Sequence, residues 1–224
     1  MNQQQLTALV ENYRPDEHVL EELGSVHLVM IVGPTGVGKS TLIKACGLPQ
    51  VIGDASRPPR EGEVNGVDYW FRSEEEMLTE ADAGRYLQLA VGSEGDLKAT
   101  HAASFPRSGP AIFAVIASAV DEFRHLPFAE TTTVVIVPPS YDIWMERIDM
   151  HHTDPQKLAI RFEEARRSYE FALNDEASIF IVDDELNATI PRLLDVAVGK
   201  VSHQEHVRAR AIARELLGRI NQGA

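Results

Sequence analysis

Cysteine is nearly missing from this 224-residue chain: its one thiol, Cys46, has no partner for an internal disulfide, which fits a reducing compartment. Its place in a helical pattern marks it as a small buried residue rather than a nucleophile. Also missing is any apolar run near the roughly 20 residues that span a bilayer, and the opening residues lack the basic-then-apolar order of a secretion signal. Both point to the cytoplasm. Positive charge is scarce, 21 Lys and Arg against 34 Asp and Glu for a net charge of −13, so neither a nucleic acid polymer nor a membrane is the expected partner. Internal repeats and low-complexity tracts are absent. What remains is the composition of an ordinary globular protein, 44% apolar and 25% charged, in a chain long enough for one sizeable core or two small ones.

A chain this acidic must hold any anion with local groups, and Gly33-Pro34-Thr35-Gly36-Val37-Gly38-Lys39-Ser40-Thr41 supplies them. The stretch follows the apolar run from Val26 to Val32 and precedes a helical segment from Leu42. Two glycines five apart, then lysine and serine, make a phosphate cradle. The glycines let backbone N–H groups turn inward around an anion, and the helix start adds partial positive charge. Lys39 reaches the β and γ phosphates, while the Ser40 hydroxyl takes a place on Mg²⁺. Taken alone, the motif implies a nucleoside triphosphate with Mg²⁺ and leaves ATPases, GTPases and kinases open.

Further apolar runs from Ala111 to Ala117, Thr133 to Val137 and Ile179 to Val182 alternate with helical patterns, which predicts an α/β fold with a parallel sheet core covered on both faces. Ahead of the first strand, residues 1–24 read as a helical extension. One helix carries Leu6, Leu9, Val10 and Tyr13 on a face, and Asp16 caps a second that Gly24 ends. Residues 51–100 have a different texture, with turn signals and short alternating runs from Val67 to Phe71 and Tyr86 to Val91, around a helix opened by the capping pair Ser73 and Glu76. That is the pattern of a small, mostly β insertion. Pro138-Pro139-Ser140 leads into a helix, and Asp154-Pro155 opens a long one. Residues 199–224 form a final helix with Val207, Ile212, Leu216, Leu217 and Ile220 among four arginines. Such a face suits internal burial or self-association, so a homodimer through the two helical extensions is a further expectation.

Within the insertion, Arg57-Pro58-Pro59-Arg60-Glu61-Gly62-Glu63 leads to Tyr69. Two arginines three apart on a turn present two planar forks to one phosphate, and Tyr69 adds a hydroxyl. Glu63 has two readings, orienting an arginine or facing solvent.

The order of these motifs resembles the guanylate kinase family from about Val26 to Ala197: the cradle, the arginine segment, Pro138-Pro139-Ser140, Arg147, Arg161 and Val182-Asp183-Asp184 follow in family order. The resemblance implies a P-loop three-layer fold over residues 25–198, with a monophosphate-binding insertion at 51–100 and a lid at 140–165. It implies an ATP-dependent kinase for a nucleoside monophosphate, with GMP or dGMP as the family's acceptor. By the same resemblance Gly33, Thr35, Gly36, Val37, Gly38, Lys39, Ser40, Thr41 and Asp183 bind ATP. Arg57, Arg60, Tyr69, Gln88, Lys98 and Thr100 take the acceptor, and Lys39, Arg57, Arg147 and Arg161 serve the transfer, with the lid closing over ATP.

Several positions depart from the family. Gln88 stands where an acid reads guanine, and glutamine's mixed donor and acceptor suit other bases better. Lys98-Ala99-Thr100 replaces Tyr-Gly-Thr, Gly53 replaces a serine, and the strand from Ile112 to Ile116 carries no acid where the family has two. His151 stands where a second lid arginine is expected, and Asp183 replaces an asparagine. His151 and His152 with Asp154 are not read as a metal site, because neighbouring helical side chains diverge. Two other readings stay open: a non-catalytic binding module of the same fold, against which the complete cradle argues, and a kinase for a phosphorylated non-nucleotide acceptor such as a sugar phosphate.

Overall fold

The computed structural model describes residues 2–92, 95–149 and 154–222. In chain order its elements are α1 (Gln3–Asn12), α2 (Glu17–Leu20), β1 (Val26–Val32), α3 (Lys39–Ala45), β2 (Asp54–Ala55), β3 (Trp70–Phe71), α4 (Glu74–Asp82), β4 (Tyr86–Val91), β5 (Leu97–His101), β6 (Gly109–Ala114), α5 (Val120–His125), β7 (Glu130–Val137), α6 (Tyr141–Asp149), α7 (Pro155–Asn174), β8 (Ile179–Val182), α8 (Leu186–Ala197) and α9 (His203–Asn221). The strands form two four-stranded sheets, ordered β6-β1-β7-β8 and β3-β2-β5-β4. In the first sheet β7 and β8 pair in parallel from Val134 opposite Ile179 to Val137 opposite Val182. Gly109 N–H donates to Ser25 and Val115 N–H to Ile31, so β6 and β1 climb in step, as parallel strands do. This is the α/β core expected from the buried apolar runs.

By contact the chain divides into two units. The first comprises residues up to Leu28, Pro49–Ala111 and Asp121–Thr131. Its core gathers Leu6 of α1, Met77 and Ala81 of α4, and Tyr86, Leu89, Leu97 and Ala99 of the second sheet, with Leu9, Val10 and Tyr13 packed against them. The N-terminal helix, expected as an extension, is thus part of the same core as the insertion. Tyr13 ties it to the sheet: its hydroxyl donates to the Tyr86 carbonyl at 2.6 Å and accepts the Tyr86 N–H at 3.0 Å, satisfying the end strand β4. Burial pushes the Tyr13 phenol up to about 12, against the lowering effect of that backbone contact. The Ser73–Glu76 capping box forms as expected. The run from Val67 to Phe71 is strand only at Trp70–Phe71. Turns occupy the rest, with Gly66 N–H on the Tyr69 carbonyl and the Asp68 carboxylate accepting Val64 N–H.

The second unit holds Val29–Leu48, Ile112–Val120 and the chain from Thr132 on. Its core joins Val29, Ile31, Val135, Trp144, Tyr169, Phe180 and Leu193 to Ala209, Ala213, Leu216 and Ile220 of α9. The C-terminal helix therefore belongs to this core. Its buried stripe is built partly of alanines, and Val207, expected in the stripe, is exposed. A helix seated this close needs small residues on its inner face, which the larger side chains obscured. β8 ends the sheet order. Its Phe180 N–H donates to His206 Nδ1 at 3.3 Å and its Val182 N–H to Glu205 at 3.2 Å, both on α9. Strand β6 begins two residues before the expected start and stops at Ala114, because Ala117-Ser118-Ala119 turns as a short 3-10 helix into α5.

Candidate active site

In the second unit the loop between β1 and α3 is shaped by two glycines that no other residue replaces cheaply. Gly33 has φ +148°, and a Cβ there would lie 2.8 Å from the Ile136 carbonyl of β7. Gly38 has φ +97°, and a Cβ would strike the Asp183 carboxylate just past β8. The loop is therefore pressed against the carboxyl ends of two core strands. Lys39 donates its ammonium to the carbonyls of Gly33 at 2.5 Å and Pro34 at 2.8 Å. Burial pulls its pKa below the usual lysine value, and the Glu164 carboxylate opposes that pull.

Helices α6 and α7 grip the same loop. Trp144 Nε1–H donates to the Thr35 carbonyl at 3.0 Å, and the Thr35 hydroxyl donates to Glu164 at 2.8 Å. Arg147 pairs with Asp183 at 3.2 Å and also donates to the Asp183 carbonyl at 3.0 Å. Arg161 donates to the Ile148 carbonyl at 2.9 Å, tying α7 to the end of α6. Arg147 and Asp183 are thus brought to the cradle itself, while the described contact of Arg161 is with α6. His151 and His152 lie outside the described residues. Trp144 and Glu164 were missed in the sequence, since a tryptophan and a glutamate on separate helices carry no motif. The tight spacing of the loop was the only clue that something must pack on it.

The donor residues fit ATP with Mg²⁺. A Cβ at Gly33 or Gly38 would meet the Ile136 carbonyl or the Asp183 carboxylate, so only glycine holds the loop in its cradle form, and the Ser40 and Thr41 side chains are exposed at the start of α3. Among the described residues there is no group of three or more His, Cys, Asp or Glu to hold a metal alone. Mg²⁺ keeps several waters and takes most of its ligands from phosphates, and the exposed Ser40 hydroxyl is a fitting protein ligand beside them.

In the first unit the acceptor residues gather around Tyr69. Arg57 forms a bidentate pair with Glu63, at 2.6 Å and 2.7 Å, and Glu63 also accepts the Arg60 N–H at 2.7 Å. This decides between the two readings of Glu63: it orients the arginine turn. The hydrogen bond from Arg57 pulls the Glu63 carboxyl down to about 2. The Arg57 guanidinium lies 5.3 Å from the Tyr69 ring centroid, and Lys98 Nζ lies 4.0 Å from it. Burial raises the Tyr69 phenol, with Arg57 opposing.

Lys98 is less free than its place in the sequence implied. Asp96 holds it at 3.0 Å, and burial lowers its pKa against that carboxylate. Asp96 is also 3.9 Å from Arg57, so one buried acid serves two cations. No signal short of the fold reveals Asp96, which enters from a turn. Gln88 and Thr100 sit opposite one another on β4 and β5, and both are buried.

Comparison with known proteins identifies the family. Residues 25–198 match the family model described as guanylate kinase. A guanylate kinase of Idiomarina loihiensis is 30% identical over 206 residues, covering 86% of this chain and 96% of that protein. One from Nocardia farcinica is 31% identical over 191 residues, covering 80% and 97%. The crystal structure of guanylate kinase from Anaplasma phagocytophilum superposes with a TM-score of 0.58 at 16% identity, over 84% of this chain and 93% of that one, a likeness of fold.

Proposed function

The chain belongs to the guanylate kinase family and is an ATP:nucleoside monophosphate phosphotransferase, and from that premise we propose that its acceptor is GMP or dGMP. The observation that carries the reading is that one chain has both a glycine-shaped triphosphate cradle and, in a separate unit, an arginine turn oriented by Glu63. Glycine backbone and Lys39 take the β and γ phosphates of ATP. Arg57, Arg60, Tyr69 and Lys98 take the phosphate of the acceptor.

An acceptor phosphate oxygen is already anionic at neutral pH, so it needs no general base. It forms a bond to the γ phosphorus while the bond to the β,γ-bridging oxygen breaks, and ADP leaves with that electron pair. The protein's part is in-line positioning and cationic relief of charge on the moving group. When bound, Mg²⁺ supplies further charge neutralisation on the phosphates, and Ser40 is the residue that would hold it. Arg147, held beside the cradle by Asp183, is the cation placed to meet the charge on the transferred group. Arg161 steadies α6, the helix that carries Arg147. Among the described residues no helix is long and apolar enough to cross a membrane. The buried apolar residues of α1 and α9 are packed in the chain's own cores, so a dimer through these helices would have to use their outward, mostly polar faces.

Release of ADP across a panel of nucleoside monophosphates and sugar phosphates tests the reading. GMP and dGMP are expected to give the highest kcat/KM. Turnover confined to a sugar phosphate, or none with ATP binding intact, would overturn it.

A further inference from the structure

The loop that would hold the triphosphate of ATP carries an acid on one side. Glu164 of α7 accepts the Thr35 hydroxyl at 2.8 Å, and Trp144 of α6 donates to the carbonyl of the same residue at 3.0 Å. A Cβ on the next residue, Gly36, would lie 2.5 Å from Ile148 Cγ2, so the loop is pressed onto α6 just where α7 reaches it. Thr35 is thus held by backbone and side chain together, and the carboxylate is held with it. On the same loop Lys39 donates to the Gly33 and Pro34 carbonyls, which attaches ammonium and carboxylate to consecutive residues, Pro34 and Thr35. Glu164 accordingly opposes the fall in the Lys39 pKa that burial causes.

The hydrogen bond does not account for the charge. A threonine hydroxyl needs only an acceptor, and a glutamine oxygen would serve. The neighbouring Glu163 is paired with Arg166 and Arg167, and the Asp183 carboxylate at Gly38 with Arg147, but the Glu164 bond is to a neutral group beside a site for anions. A half-buried carboxylate there repels phosphate, and more strongly than at an exposed surface, where water and salt screen it. Repulsion scales with the charge of the ligand. A bare triphosphate carries roughly twice the negative charge of its Mg²⁺ complex. We propose that Glu164 is a specificity-determining residue of the cradle, one that turns away metal-free nucleotide by its charge and so admits ATP together with its Mg²⁺. This role depends on ATP entering the cradle and not on which monophosphate accepts the phosphoryl group.

Titration calorimetry of ATP, once with excess Mg²⁺ and once with EDTA, on wild type, Glu164→Gln and Glu164→Ala is the test. Wild type is expected to bind the Mg²⁺ complex more tightly than the bare nucleotide. Glu164→Gln keeps an acceptor for Thr35 and loses the charge. Metal-free ATP should then bind about 100-fold more tightly and the Mg²⁺ complex about 10-fold, so the ratio of the two affinities falls about 10-fold at low salt, and by less as salt is added. Glu164→Ala should show the same fall in ratio, with both affinities lower than in Glu164→Gln because Thr35 has lost its acceptor. An unchanged ratio in Glu164→Gln overturns the proposal, and so does one that falls only in Glu164→Ala, the mark of loop positioning without charge. Because the titration leaves the acceptor out, a wild type that fails to phosphorylate GMP or dGMP overturns the acceptor reading and leaves this one standing.

Discussion

The two candidate anion sites, one in each unit, are made of different material. In the second unit the anion site is backbone, a loop whose conformation only glycine tolerates and whose position is set by Ile136 and Asp183. In the first unit it is side chain, and two of its cations are held by carboxylates: Arg57 by Glu63, Lys98 by Asp96. A backbone site is rigid and indifferent to charge balance. A side-chain site has to be oriented, and its partners weaken the very charge they orient.

Substitution of glycine should separate the two most sharply. Gly38→Ala meets both a positive φ and the Asp183 carboxylate, and strain of about 1–3 kcal/mol should weaken ATP binding by roughly 10- to 100-fold. Gly62 in the arginine turn also has φ +82°, but nothing lies within 4 Å of an added Cβ. Gly62→Ala should cost about 1 kcal/mol of stability through the left-handed backbone and leave ATP affinity alone. Equal losses at the two positions would erase the contrast.

A middle-sized effect is expected from Glu63→Gln, which should raise the KM for the acceptor about tenfold by loosening Arg57 while the KM for ATP holds. Its pH dependence has a definite sign. The Glu63 carboxyl is depressed from an ordinary 4.5 to about 2 in the folded chain, so its stabilising effect is complete above about 4.5 and fades as pH falls through about 2. The difference in denaturation midpoint between wild type and Glu63→Gln should be constant from neutral pH to about 5 and shrink on further acidification.

On turnover the smallest effects are expected at two buried tyrosines, which bear on stability alone. The Tyr86 hydroxyl of the first unit donates to Asp54 at 2.9 Å, whereas the Tyr169 hydroxyl of the second has no partner among the described residues. Tyr86→Phe should cost about 1–3 kcal/mol by stripping a buried carboxylate of a donor, and Tyr169→Phe should be neutral or slightly stabilising in urea denaturation.

The same contrast explains what could be read from the chain. The cradle was legible in full because its function requires specific residue types at fixed spacing. Core strands were legible from continuous β-branched runs, and α4 from its capping box. Glu63 was ambiguous because its partner is six residues away around a turn, and Asp96 was invisible because its partners come from other segments. α9 was legible as a helix, but its alanine face hid that it completes a core.

Helix α9 also acts as a terminator. By lending His206 and Glu205 to the backbone of β8, it occupies donors that would otherwise template another strand, while Pro110 leaves β6 short of an N–H at the opposite side. Chains cut before α9 would carry a bare strand containing Phe180 and Ile181, so their expected fate is intermolecular sheet growth and insolubility rather than a merely less stable enzyme.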